Sequence, residues 1–321
     1  MTTARRTGMV EGRKREATVT LEELRAGGKA GLARALAEIE RAADDEETVR
    51  LLDACHAAAR AHVVGMTGPP GVGKSTLMNA LIAGWRRRGR TVACIAVDPS
   101  SRRSGGALLG DRTRLSTDPE DAGIFVRSMA ARDRLGGLAA MTVSAMVVMR
   151  ALYDVVLIET VGVGQSETDV AGVADTVMFC VQPGSGDSLQ FMKAGIAEIP
   201  HLVVVTKADM DQAGRARNDV LGALALAGSD ESGGWTVPVL MVSAAAATGL
   251  DDLFAAIDRH RRHLAEGGRL AASRDAQARA WLEDAVRERF GREGMKRAGR
   301  LDLAPGASPF RRLAQVVESL R

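Results

Sequence analysis

With 321 residues the chain has room for one large α/β domain with appendages, or for two modest domains. Apolar residues make up 46% of it but aromatics only 3%, so aliphatic side chains must build the core, and a base-stacking nucleic-acid surface is disfavoured. The formal net charge is +3, and no uninterrupted apolar stretch approaches the roughly 20 residues that span a bilayer, which excludes a helical membrane protein.

The charge is unevenly spread. Residues 1–17 hold five Lys/Arg against two acids and residues 259–321 hold fifteen against eight, so the intervening stretch is acidic. Interspersed Arg and Glu on helices read as a solvated face rather than a nucleic-acid surface. Cys55, Cys94 and Cys180 have no paired spacing, and two of them lie in apolar strand-like runs, which fits buried free thiols in a reducing compartment. Five scattered His lack metal-ligand spacing, and the Arg-bearing N-terminus has no apolar signal core. The expectation is a soluble, cytoplasmic protein.

In chain order, residues 1–17 are expected to form a disordered basic arm. Residues 18–60 form a helical lead-in: Thr20 and Glu23 have the spacing of a capping box, and Leu21, Leu24, Leu32, Leu36, Ile39, Val49 and Leu52 keep helical periodicity. Asp44–Glu47 marks a junction between helices. From 61 to 266, short β-branched runs alternate with helical patterns. Strands are predicted at His62–Thr67, Thr91–Asp98, Gly123–Arg127, Asp154–Glu159, Thr176–Val181, His201–Thr206 and Val237–Val242. Several are apolar on both faces, the mark of a helix-sandwiched parallel sheet, so the fold class is α/β, doubly wound and mostly parallel. Residues 267–321 are helical only, with one helix carrying Ala280, Trp281, Ala285, Val286 and Phe290 and another carrying Leu313, Val316, Val317 and Leu320 across a Gly/Pro-rich hinge at Leu303–Pro309. Two such apolar stripes beyond a finished domain must be covered, either by the parent domain or by a second copy of the chain, and the second copy is the favoured cover.

The strongest motif is Gly68-Pro69-Pro70-Gly71-Val72-Gly73-Lys74-Ser75, which fits the phosphate-binding loop G-x-x-x-x-G-K-[ST] at every fixed position. An apolar run leads in, and a helical pattern beginning with Thr76 and Leu77 leads out. Backbone N–H groups there can surround phosphate oxygens at a helix N-terminus, Lys74 can reach the β- and γ-phosphates, and the Ser75 hydroxyl can ligate Mg²⁺.

Further segments choose the base and the metal. Thr206-Lys207-Ala208-Asp209 closes an apolar strand; an aspartate there can accept from both the ring N–H and the exocyclic amine of guanine, a donor pair adenine lacks. Ser243, Ala244 and Ala245 close the last strand, where backbone N–H groups can meet the guanine carbonyl. Asp98, Asp111 and Glu159 supply carboxylates at strand ends and in a Gly-rich loop, and Mg²⁺ needs only one or two of them.

The strings Glu159–Glu167 (E-T-V-G-V-G-Q-S-E), Val97–Arg114 (V-D-P-S-S-R-R-S-G-G-A-L-L-G-D-R-T-R) and Gln182–Lys193 (Q-P-G-S-G-D-S-L-Q-F-M-K) resemble the MeaB/ArgK/MMAA group of P-loop GTPases. The resemblance runs over nearly the whole chain. It implies a GTPase chaperone of the metallocentre kind that serves adenosylcobalamin-dependent acyl-CoA mutases, chiefly methylmalonyl-CoA mutase, with the adenosyltransferase as a further candidate partner. By position it implies Lys74 and Ser75 on phosphate and Mg²⁺, Asp98 and Asp111 in a first switch, Glu159 as the Walker-B acid, Gly162 sensing the γ-phosphate, and Lys193 in a third switch. It also implies a homodimer built by the helical tail.

Two departures stand out. Thr206 occupies a position where most relatives of that group carry Asn, which removes an amide expected to brace the nucleotide loop. Ser188 replaces a frequent acid, leaving room for a mutase acting on a different acyl-CoA. Val163 stands where Ras-type enzymes place a catalytic glutamine, and Gln165 lies two residues further on, so intrinsic hydrolysis is expected to be slow. The chain lacks D-x-H-x-x-G, so no tightly bound cobalamin of its own is expected. The rivals are a small-molecule kinase, a signal-recognition-type GTPase and a nickel-insertion GTPase. Asp209, the missing Met-rich domain and the absence of Cys/His clusters weigh against them in turn.

Overall fold

The computed structural model describes residues 19–98, 115, 117–130, 140–160, 169–184, 199–227 and 234–321. The N-terminal arm lies outside them, as do Asp111, Gly162, Val163, Gln165, Ser188 and Lys193. Element labels below run over the described residues.

Helix α1 (Leu21–Ala26) opens on the expected capping box: the Glu23 N–H donates to Thr20 Oγ1 at 3.2 Å, and the Thr20 N–H donates to the Glu23 carboxylate at 2.8 Å. Helices α2 (Gly28–Arg41) and α3 (Glu46–Ala57) follow, with the acidic stretch at their junction. Next come β1 (His62–Thr67), α4 (Lys74–Arg87), β2 (Val92–Asp98), β3 (Ile124–Ala130), α5 (Ala140–Leu152) and β4 (Val155–Glu159). The sheet is completed by β5 (Thr176–Val181), β6 (Leu202–Val205) and β7 (Val239–Met241), with α6 (Ala213–Ala227) between the last two. Helices α7 (Leu250–Ala265), α8 (Arg269–Ala298) and α9 (Pro309–Leu320) close the chain.

The seven strands are all parallel, in the order β3-β2-β4-β1-β5-β6-β7. Strand β1 is central; chain connections run to one side for β2 and β3 and to the other for β5, β6 and β7. Ligands of open α/β sheets bind at the carboxyl ends of strands beside such a reversal. Alternation along β1 explains the layers. Val63 joins a core with α2, α3 and α5, whereas Val64 and Met66 join one with α4 and α7. Both faces are covered, so the strands carry continuous apolar runs. Phe179, Val181, Val203 and Val205 form a third cluster under α6. All three cysteines are buried free thiols, and burial pushes the Cys55 and Cys180 thiols up to about 12. No described helix is long and apolar enough to cross a membrane.

The two C-terminal helices pack on each other. Leu282 and Val286 of α8 pack against Leu313, Val316, Val317 and Leu320 of α9, and Phe310 reaches the main core. The two stripes thus cover each other within the chain. The linker between these helices is also tied down. The Gly306 N–H donates to Asp275 Oδ1 at 2.8 Å, and Asp53 of α3 accepts from both Ser308 and Arg311.

Helix α8 is keyed to the amino end of the sheet by Arg274. Its guanidinium donates to both oxygens of buried Asp175, at 2.8 and 2.7 Å, and to the Ala61 carbonyl at 2.8 Å, while the Val63 N–H donates to the same carboxylate. Despite burial, these bonds hold the Asp175 carboxyl below its ordinary range. Beside it, Thr176 Oγ1 lies 2.7 Å from both His62 Nε2 and His260 Nδ1. Burial pushes these imidazoles down to about 4 and about 3, so both are neutral near pH 7.

Candidate nucleotide-binding site

At the carboxyl edge of the sheet the phosphate loop connects β1 to α4, and its shape depends on contacts with neighbouring strands. Gly68 has φ 139°, and a Cβ there would lie 2.2 Å from the Cys180 carbonyl oxygen, so only glycine lets the loop start so close to β5. Gly73, in the left-handed region, turns the chain into α4. Pro69, Pro70 and Gly71 form the outer part of the loop, and buried Val72 anchors it in the core between the sheet and α4.

Lys74 is 6% exposed, a burial that a lysine sustains only with partners. Its Nζ donates to the Gly68 carbonyl at 2.7 Å and to the Pro69 carbonyl at 3.1 Å, curling back over the loop. Beside it the Ser75 hydroxyl donates to Glu159, 3.0 Å from Oε1 and 3.4 Å from Oε2. Glu159 ends β4 opposite Met66 of β1 and Ala96 of β2. Two residues past Ala96, Asp98 ends β2 at the same edge; its side chain lies outside the described residues. Thr160 ties this corner together: its N–H donates to the Met66 carbonyl, and its hydroxyl donates to Thr67 Oγ1 at 3.1 Å. Thr76 continues the first turn of α4.

The segment Thr206–Asp209 follows β6 and is bonded directly to the phosphate loop. Thr206 Oγ1 lies 2.6 Å from the Val72 carbonyl and 2.8 Å from the Val181 carbonyl, so its one hydroxyl proton is shared between the loop and β5. The anticipated loss of a brace on replacing Asn with Thr is therefore corrected, because a hydroxyl spans the gap the amide was expected to fill. Lys207, at φ 51°, donates from Nζ to the Gly71 carbonyl at 2.9 Å and to Gln182 Oε1 at 2.6 Å. Asp209 is exposed; a hydrogen bond from Ser243, and next its own backbone amide, hold its carboxyl below the ordinary range. It is thus a ready acceptor near pH 7. Ser243 is buried at the base of a turn closed by paired bonds with Thr248, and its Oγ accepts from the Ala246 N–H. Ala244 is half-buried and Ala245 exposed in that turn.

The fold therefore brings Gly68–Thr76, Glu159, Thr206, Lys207, Asp209, Ser243, Ala244 and Ala245 to one edge. Sequence reasoning missed Gln182 as a partner of Lys207, and it missed Thr67 and Thr160. Gln182 stood in a string singled out for its resemblance, but nothing in that string points toward the base segment. Replacing Thr206 with Val keeps the shape and deletes the bridge. GDP affinity should fall about tenfold, while Thr206→Asn retains most of it. A fluorescent-GDP titration checks this, and unchanged affinity in Thr206→Val would show that the bridge plays no part in holding the loop.

A parallel sheet with a phosphate loop after its central strand and an aspartate-bearing base segment defines a P-loop nucleotide-binding protein. The family model described as methylmalonyl Co-A mutase-associated GTPase MeaB matches residues 32–297, and the chain belongs to that family. A relative from Pyrococcus horikoshii is 41% identical over 258 residues, covering 79% of this chain and 80% of its own. GTPase ArgK of Escherichia coli is 37% identical over 287 residues, 85% of each chain. The mouse methylmalonic aciduria type A homolog is 37% identical over 229 residues, 70% of this chain and 55% of its own. Among solved structures, that of a LAO/AO transport system kinase superposes with a TM-score of 0.66 at 30% identity, covering 93% of this chain and 96% of its own.

Proposed function

We propose that this chain is a GTP-driven switch. It binds GTP and Mg²⁺, hydrolyses the nucleotide slowly on its own, and gates the loading and protection of adenosylcobalamin in an acyl-CoA mutase. The observation that carries the guanine reading is the base segment bonded onto the phosphate loop through Thr206 and Lys207, which sets Asp209 as an exposed acceptor at that edge. The partner class rests on family membership.

Ser75 and Glu159 are hard oxygen donors 3.0 Å apart, the kind of pair that holds Mg²⁺ directly or through water. Mg²⁺ bound there neutralises phosphate charge. Asp98 and Asp111 are candidates to complete that shell in a first switch. In this reading Lys74 exchanges its loop carbonyls for the β- and γ-phosphates. Gly162, Gln165 and Lys193 belong to segments proposed to respond to the γ-phosphate, and Gln182, gripped by Lys207, stands at the start of the last of them. The adenosyltransferase is a further proposed partner. No cobalamin site of the chain's own is part of the reading, and a cytoplasmic setting fits three buried free thiols.

A kinase reading, suggested by the name of the solved relative, predicts adenine preference and has no support in a base segment that ends on Asp209. The switch reading is tested by linkage. Affinity for the native acyl-CoA mutase, measured with a non-hydrolysable GTP analogue and again with GDP, should differ roughly 5- to 150-fold. Equal affinities would rule out a nucleotide-controlled interaction.

A further inference from the structure

The pole of the sheet opposite the phosphate loop carries two arginine-rich segments far apart in sequence, Arg86–Arg90 at the end of α4 and Arg259–Arg262 in α7. Packing of α4 against α7 brings both to one cavity of about 210 Å³, over the first residues of β1 and β4. Its floor is apolar and firmly built. Gly84 has no side chain where a Cβ would lie 2.2 Å from Phe254 Cζ, so the Phe254 ring rests directly on α4. That ring meets Trp85 edge-on with centroids 5.3 Å apart, and Ile257 completes the surface.

The rim is cationic. The Arg88 guanidinium lies 3.8 Å from the Phe254 ring centroid and is fixed by Asp251 at 2.8 Å. Arg90 and Arg261 also line the cavity, and among the described residues neither guanidinium makes a hydrogen bond or ion pair. The one acid on the lining is Asp258, so with Arg88 paired to Asp251 it is left to face two arginines, Arg90 and Arg261. His62 lines the inner end and is neutral near pH 7, so it adds no charge there. Helix-dipole compensation accounts for basic residues at the end of α4. The same effect favours Arg261 near the end of α7, but it does not require the two helix ends to share one aromatic-floored cavity.

We propose that this cavity is a second ligand site, remote from the nucleotide, for a small organic anion. An aryl or acyl body lies against Trp85 and Phe254, and a carboxylate or phosphate group lies between Arg90 and Arg261. Guanidinium forks match both groups geometrically. The volume is below the roughly 300–1,000 Å³ of drug-sized pockets, which restricts the occupant to a compact molecule.

Calorimetric titration of the full chain, loaded with Mg²⁺ and GDP, tests this with three probes: benzoate, phenyl phosphate and uncharged benzyl alcohol. At least one anion should bind saturably at one site per chain, and benzyl alcohol should give no saturable heat. Whichever anion binds more tightly assigns the group as carboxylate or phosphate. The Arg90→Gln/Arg261→Gln double variant should lose at least about tenfold in that affinity, with each single variant in between and GDP affinity unchanged. Failure of both anions to saturate the wild type, or equal affinity in the double variant, would overturn the proposal and leave these arginines as solvated helix-end charges. The comparison assigns the signal to this cavity whether or not nucleotide occupies the phosphate loop, so it stands apart from the GTP reading.

Discussion

Replacement of Lys74 by Ala should abolish detectable GTP hydrolysis and weaken GTP binding by about 100-fold or more. The Lys74 ammonium is held by the Gly68 and Pro69 carbonyls inside the loop it serves. Phosphate oxygens are stronger acceptors than these carbonyls, and they meet the ammonium away from bulk water, where each charge-assisted bond counts for more. Deletion removes that charge and leaves two loop carbonyls without their donor. The α4 helix itself is built on buried Leu77, Met78, Leu81, Ile82 and Trp85, so the fold should survive. Circular dichroism with a fluorescent-nucleotide titration separates the two effects. GTP binding within threefold of wild type, in a folded variant, would remove Lys74 from the site.

The second large effect is a change of base. Asp209 accepts from Ser243 and keeps its carboxylate ionised at neutral pH. Guanine presents two donors to such a carboxylate. In Asp209→Asn one acceptor becomes an amide donor, which suits xanthine, whose C2 substituent is an acceptor. GTP affinity should drop at least about tenfold, and xanthosine triphosphate should become the preferred ligand. Competition of GTP, ATP and xanthosine triphosphate for a fluorescent nucleotide measures this on both proteins. Unchanged GTP preference in the variant would mean that the base is read elsewhere.

The scaffold was more legible in the sequence than the contacts that tune it. Each predicted strand overlaps an observed one, because strands buried on both faces leave unbroken apolar runs such as Val155–Ile158. Predicted ends ran one residue long at His201 and Thr206, although the N–H of each still donates to a β5 carbonyl, Val177 and Val181 respectively. The phosphate loop, Glu159 and Asp209 stood out because their chemistry needs fixed residue types at strand ends. Periodicity shows that a stripe must be covered without showing by what, so the mutual packing of α8 and α9 is visible only in the fold. Local sequence is equally silent on side chains that meet across the sheet edge. Lys207 reaching Gln182, the Thr67–Thr160 bridge and the Arg274–Asp175 clamp join residues 25, 93 and 99 positions apart. The Thr206 substitution looked like a weakness for the same reason, since only the fold shows the Val72 and Val181 carbonyls converging on one hydroxyl.

The central claim is that the nucleotide site is a switch read by a mutase. The most direct measurement is the GTP turnover of the purified chain, alone and with its native adenosylcobalamin-dependent acyl-CoA mutase. Slow turnover alone and a rise of roughly tenfold or more with the mutase is the predicted result. The same rate with and without the mutase would contradict it.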